Sequence, residues 1–189
     1  EFPLDPQLSK TLIASEQYGV SEEVASVCAM LSVNNTIFYR PKDKQVQADK
    51  AHKTFMRGGG DHFTLLNVYN DWAETNYNTQ WCYENFVQVR STRRARDVRE
   101  QLVALMERVE MAMTSNPMNH EGIKKSITAG FFYQSAKLQK NGSYRTVKNP
   151  QTVHIHPSSS LLQANPRWVV YHELVFTTKE FMRQIIEVN

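Results

Sequence analysis

Cysteine is scarce in this sequence, and long apolar runs are missing. Two cysteines in 189 residues, Cys28 and Cys82, are too few for a disulfide framework or a metal-binding spacing, and they point to a reducing compartment, cytosol or nucleus. No run of about 18 apolar residues occurs, and the opening EFPLDPQLSK lacks a basic-then-apolar leader, so neither membrane insertion nor export is expected. Catalytic signatures are equally thin. The triplet Gly58-Gly59-Gly60 precedes Asp61-His62 rather than Gly-Lys-Ser/Thr, which excludes a phosphate-binding P-loop and reads as a flexible lead into a helix. No nucleophile-elbow sequence is present. His154 and His156 share a strand face without a third ligand at a telling distance, and Cys82, between Trp81 and Tyr83, reads as buried rather than reactive.

What is present is unevenly distributed. The formal charge of +3 is the sum of −4 over residues 1–89 and +7 over residues 90–189, so the second half is the candidate face for a polyanion. In the first half, Ser21 with Glu22 and Glu23 suits a helix start, and Val24, Val27, Cys28 and Leu31 recur at helical steps until Asn34-Asn35. RPKDKQVQADKAHKTF, between Pro41 and the glycine triplet, reads as a short helix, and Asp61 as the cap of the next, whose buried stripe is Leu65, Leu66, Val68, Tyr69 and Trp72. TQWCYENF is another short helix. The longest periodic stretch runs from a Ser91 cap through Ala95, Val98, Leu102, Leu105, Met106 and Val109 to Asn116-Pro117, and a last helix through Ile123 and Ile127 stops at Gly130.

From Phe131 the pattern changes to short β-prone segments, FFYQSAKL, SYRTVK, TVHIHP, WVVYHELVFTT and FMRQIIEV, punctuated by Asn141-Gly142 and Asn149-Pro150. The fold class is therefore α+β, an all-α part followed by a small β-barrel, with a boundary near Gly130.

The basic groups fall into two sets. Arg90, Arg93, Arg94, Arg96 and Arg99 open the longest helix. Arg93 with Asp97 and Arg96 with Glu100 are spaced as i,i+4 ion pairs on a solvated face, whereas Arg94 and Arg99 lie roughly 60° and 80° from the apolar stripe, facing a neighbouring domain or groove. In the β part, Arg145, Thr146, Lys148, Thr177, Thr178, Lys179 and Arg183 sit near strand ends, where cations and hydroxyls suit phosphate oxygens. Most of the aromatic residues, Phe131, Phe132 and Tyr133 among them, read as core.

The strings FPLDPQLSKTLIAS, EEVASVCAMLSV, GGDHFTLLNVYNDW, QWCYENFVQVRSTRRARDVREQL, ITAGFFYQSAK, VHIHPSSSL and WVVYHELVFTTKEFMR together resemble the C-terminal region of DEAH-box RNA helicases, across essentially the whole chain. They look closest to the spliceosomal members that act on the activated spliceosome before the first splicing step. The resemblance implies the end of a winged helix over 1–18, a helical-bundle (ratchet) domain over 19–129 and an OB fold over 130–189, cut before its final strand; that makes closure of the barrel a question for the structure. It implies a nuclear auxiliary module that lines a single-stranded RNA channel, with Arg90, Ser91, Arg94, Thr177, Thr178 and Lys179 facing that channel. Arg145 and Lys148 join them on the charge argument. ATP, Mg and hydrolysis would belong to RecA-like domains of a parent protein, and a G-patch activator and spliceosome proteins would be further partners. The alternative is a protein-interaction scaffold with negligible RNA binding by itself.

Overall fold

Seven helices precede five strands in a computed structural model that describes residues 5–33 and 37–189. The beginning of the expected winged-helix segment and the helix end expected at Asn34-Asn35 lie outside the described residues. Helix α1 (Pro6–Gln17) starts where Asp5 accepts from the Gln7 amide at 2.9 Å and Pro6 fixes the first turn. Helix α2 (Ser21–Ser32) is buried on nearly every side, Cys28 included, and α1, α4, α6 and α7 pack round it. A 3-10 turn at Lys42–Lys44 leads into α3 (Gln45–Lys53), followed by α4 (Asp61–Glu74), α5 (Thr79–Glu84) and α6 (Val89–Arg108). Helix α7 (His120–Phe131), capped by Asn119 through the Gly122 amide at 3.0 Å, crosses α1. At that crossing Gly130 leaves room for Thr11 and the Gln7 carbonyl, where any Cβ would collide. Burial pushes the Cys28 thiol up to about 12 and raises that of Cys82, so both behave as core groups.

Helix α2 starts at Ser21 as expected, and the Ser21 Oγ donates to the Ala112 carbonyl at 2.8 Å and accepts from the Thr114 amide at 2.8 Å. Two local expectations are corrected. The longest helix ends at Arg108, well before Asn116-Pro117, because Glu110 takes a left-handed φ of 62° and the following irregular segment is tied along the start of α2. Met111 and Met113 pack on the bundle core from that segment, which is why the apolar signal outlasted the helix. Ser91 does not cap α6, which begins two residues earlier with Gln88 at the cap position.

Strands β1 (Ser135–Leu138), β2 (Tyr144–Thr146), β3 (Thr152–Ile155), β4 (Trp168–Phe176) and β5 (Glu180–Val188) close into a barrel in the order β1-β2-β3-β5-β4. Closure comes from β4, antiparallel to both β1 and β5, and from the parallel β3–β5 pair. The barrel therefore closes with these five strands, which answers the question of closure. Its interior holds Ala136, Tyr144, Val153, Val169, Tyr171, Met182 and Ile185, and the Tyr144 hydroxyl donates to the Pro166 carbonyl at 2.6 Å.

Bundle and barrel are joined at the start of α4. Gly60 bridges Ile186, and the Glu187 amide donates to the Gly59 carbonyl at 3.1 Å. The Asp61 carboxylate, expected as a cap, instead accepts from Ser159 Oγ (2.6 Å), the Ser160 amide (2.8 Å) and Oγ (3.0 Å), and the Ile185 amide (3.0 Å). Val170 and Ile186 of the barrel belong to the bundle's apolar core.

His62 lies in this seam, buried, with Nδ1 unpartnered and the ring hydrogen-bonded to the Ile185 backbone. Burial first, then His172 nearby, pushes it down from 6.5 to about 3. The folded state thus keeps it neutral while an unfolded chain protonates it, so stability is full above pH 6.5 and falls as pH drops toward 3. The expected loss from this group between pH 7 and pH 5 is about 2 kcal/mol. Urea unfolding at both pH values checks it, with His62→Gln as the comparison. A variant as acid-sensitive as the parent sequence would remove His62 from the account.

Candidate nucleic-acid interface

The barrel end that carries the β2–β3 and β4–β5 turns gathers one of the two predicted sets. Arg145 pairs with Thr152 across β2 and β3, and continuing the parallel β3–β5 register two positions back from His154 and Phe181 brings Lys179, in the turn before β5, beside Thr152. Arg145, Thr152 and Lys179 are all exposed and form a row spanning about 10 Å across neighbouring strands. Thr177 and Thr178 are exposed in the β4–β5 turn, closed by the Thr177 amide donating to the Lys179 carbonyl at 3.0 Å. Lys148 is exposed in the β2–β3 turn at the same end. Thr146 is buried and structural: its Oγ1 donates to the Asn149 carbonyl at 2.6 Å and accepts from the Gln151 amide at 3.0 Å.

The arginines of α6 divide differently from the ion-pair spacing. Arg90 and Arg94 are exposed. Arg93 donates to Thr79 Oγ1 at 2.9 Å instead of pairing with Asp97, and Arg96 lies over Trp72 and Tyr77, 4.9 Å from the latter ring, instead of pairing with Glu100. Arg99, expected to face a neighbouring domain or groove, donates to Ser26 Oγ at 2.7 Å and to the Glu22 carbonyl. It is an interhelical clamp within the bundle. Ser91 is buried in the first turn of α6, so its hydroxyl is withdrawn from any surface ligand.

Sequence reasoning missed a groove between α3 and the loop after β3. Residues 37–39 run beside the segment leading into α6: the Gln88 amide donates to the Ile37 carbonyl at 2.7 Å and the Tyr39 amide to the Phe86 carbonyl at 3.1 Å. The same segment borders a cavity of about 840 Å³ lined by Tyr39, Arg40, His52, Lys53, His156 and Ser158, where α3 faces the loop after β3. Arg40 is held by both oxygens of Asp49, at 2.7 and 2.8 Å. His52 bonds the Phe86 carbonyl at 3.0 Å, and burial holds it below the usual imidazole range. The adjacent Tyr39-Arg40 ahead of Pro41 was the available signal. His156 is engaged by Ser158 Oγ at 2.7 Å and packs on Phe181. Among the described residues no three His, Cys, Asp or Glu side chains are grouped to hold a metal, and no helix is long and apolar enough to cross a membrane.

Comparison with known families agrees with this architecture. A family model for the helicase associated domain (HA2), ratchet-like, matches residues 5–65, covering α1 to the start of α4. A second, for the oligonucleotide/oligosaccharide-binding (OB)-fold, matches residues 123–189, from within α7 to the end of β5. Helical region and closed barrel thus correspond to two auxiliary domains in the order the strands and helices dictate, and together they indicate the C-terminal region of a DEAH/RHA-type helicase.

Proposed function

We propose that this chain is the RNA-gripping auxiliary module of a DEAH-box helicase of the spliceosome, working in the nucleus. It lines a single-stranded RNA channel and couples the motion of RecA-like domains to translocation. The observation that carries the reading is the outward row Arg145, Thr152 and Lys179, flanked by the hydroxyls of Thr177 and Thr178. Donors of this kind bind phosphate and sugar without reading bases, so binding is sequence-tolerant. Arg90 and Arg94 extend the basic surface onto the bundle. ATP and Mg would be held by the RecA-like domains of the parent protein, a G-patch protein would stimulate it, and residues 1–18 would close a winged helix.

The test is fluorescence anisotropy with labelled single-stranded oligo-U. If Arg90, Arg94, Arg145 and Lys179 neutralise four phosphates, affinity falls roughly 50-fold between 50 and 200 mM salt. The Arg94→Ala/Lys179→Ala variant binds more weakly and with a shallower salt slope. No binding at low salt would defeat the reading and leave a protein-docking scaffold.

A further inference from the structure

At the other side of the same barrel end, the aromatic pair expected in the core stands on the surface. Phe132 is 44% exposed and Tyr133 56%. Their ring centroids are 4.1 Å apart. Lys10 lies over the outer face of the pair at Phe132, 5.0 Å from the centroid, and Lys148 over Tyr133 at 4.6 Å. The result is a column of cation, ring, ring, cation spanning α1, the α7–β1 link and the β2–β3 turn. Two exposed rings pressed together without an apolar cover are unusual for a solvated surface, and the flanking ammonium groups make the neighbourhood positive.

A cavity of about 340 Å³ opens beside Tyr133, at the small end of ligand pockets. Its lining includes Gln134, Asn149 and Gln151 and no acidic side chain. Gln134 is oriented by donating to the His172 carbonyl at 2.8 Å and by accepting from Gln7. The β2–β3 turn carrying Lys148 is held by the Thr146 hydroxyl bonds already described. The held amide of Gln134 and the side-chain amides of Asn149 and Gln151, each with donor and acceptor capacity, suit the edge of a heterocycle more than an apolar side chain.

We propose that Tyr133, Lys148 and the adjoining amide-lined cavity form a stacking site for one base of a single-stranded nucleic acid. The inference rests on the RNA-binding reading above and deepens it by naming a base contact away from the phosphate row. Lys148, exposed and held only over the ring, moves to the phosphate flanking the base while the base takes its place on Tyr133. Phe132 supports the ring from behind. An acidic protein segment could meet the same lysines, but the acceptor oxygens of Gln134, Asn149 and Gln151, beside an apolar wall of Tyr171 and Leu174, favour the edge and face of a base.

Equilibrium anisotropy separates this site from the general reading. Labelled oligo-U and an abasic oligomer of equal length are titrated at one salt concentration with the whole chain, Tyr133→Leu, Lys148→Ala and Arg94→Ala/Lys179→Ala. The proposal expects the unmodified chain to prefer oligo-U, and Tyr133→Leu to lose at least about fivefold on oligo-U and nothing on the abasic strand. Lys148→Ala weakens both. If the Arg94→Ala/Lys179→Ala variant weakens binding while Tyr133→Leu equals the unmodified chain on both ligands, RNA binding stands and the stacking site falls. Equal affinity of the unmodified chain for the two strands would also overturn the stacking site, without requiring any variant to fold. No binding to either strand defeats both readings, and capture by Tyr133 of a Glu-rich peptide in its place would assign the column to a protein partner.

Discussion

Gly60→Ala is expected to loosen the barrel from the bundle and to cost about 3–5 kcal/mol of stability. Gly60 has φ 131° and ψ −178°, a region essentially closed to residues with a side chain, where strain alone is about 1–3 kcal/mol. The rest is steric. A Cβ there would stand 2.6 Å from the Ile185 carbonyl oxygen and 2.7 Å from Ile186 Cα, both backbone atoms of β5 that cannot turn away as a side chain can. Relief requires β5 to move, which also breaks the Gly60–Ile186 bridge and pulls Ile186 from the bundle core. Gly58→Ala is the control: it shares a positive φ but has no atom within 4 Å of the added carbon, so only the backbone penalty applies. Urea unfolding with limited proteolysis reads both outcomes. Equal, small losses in the two variants would show that the triplet is the flexible lead the sequence suggests rather than a fastened seam.

That contrast marks where local reading ends. Helix stripes such as Leu65, Leu66, Val68, Tyr69 and Trp72 were legible because burial at a 3.6-residue period leaves a repeating mark, and all five are buried. The strands were legible from β-branched and aromatic clusters between turn residues, and their five segments contain β1 to β4 and all of β5 except Glu180. Roles that depend on a distant partner were not. Arg96 was spaced like a surface charge and Arg99 like a group facing another domain, yet Trp72 and Ser26 come to them from other helices of the bundle and Tyr77 from the α4–α5 turn. Thr146, grouped with phosphate donors by its neighbours, is consumed by its own turn. Phe132 and Tyr133 carry a core-like composition but fall in the link between α7 and β1, where neither period applies. The row Arg145, Thr152 and Lys179 depends on a parallel pairing between strands 25 or more residues apart, which no local pattern contains.

Asp61→Ala carries the same lesson as a measurement. A carboxylate that merely favoured the start of α4 would contribute about 1 kcal/mol. Here one carboxylate receives four hydrogen bonds from two segments of the barrel, the Ser159–Ser160 turn and the β5 backbone. Removing it strands the Ser160 and Ile185 amides in a partly buried seam, and donors left without an acceptor cost more than the net value of the bonds they made. The expected loss is about 3–5 kcal/mol. Asp61→Asn keeps the shape but turns an amide NH2 toward groups that are themselves donors on one side, so it falls between alanine and the parent sequence. Because the lost bonds lie between bundle and barrel, the Ser159–Ser160 turn is the first place a protease cuts the variant, before the helices open. Chemical unfolding of both variants decides the matter: a loss near 1 kcal/mol for Asp61→Ala returns the residue to a cap, and a loss several times larger identifies it as the polar fastener between bundle and barrel.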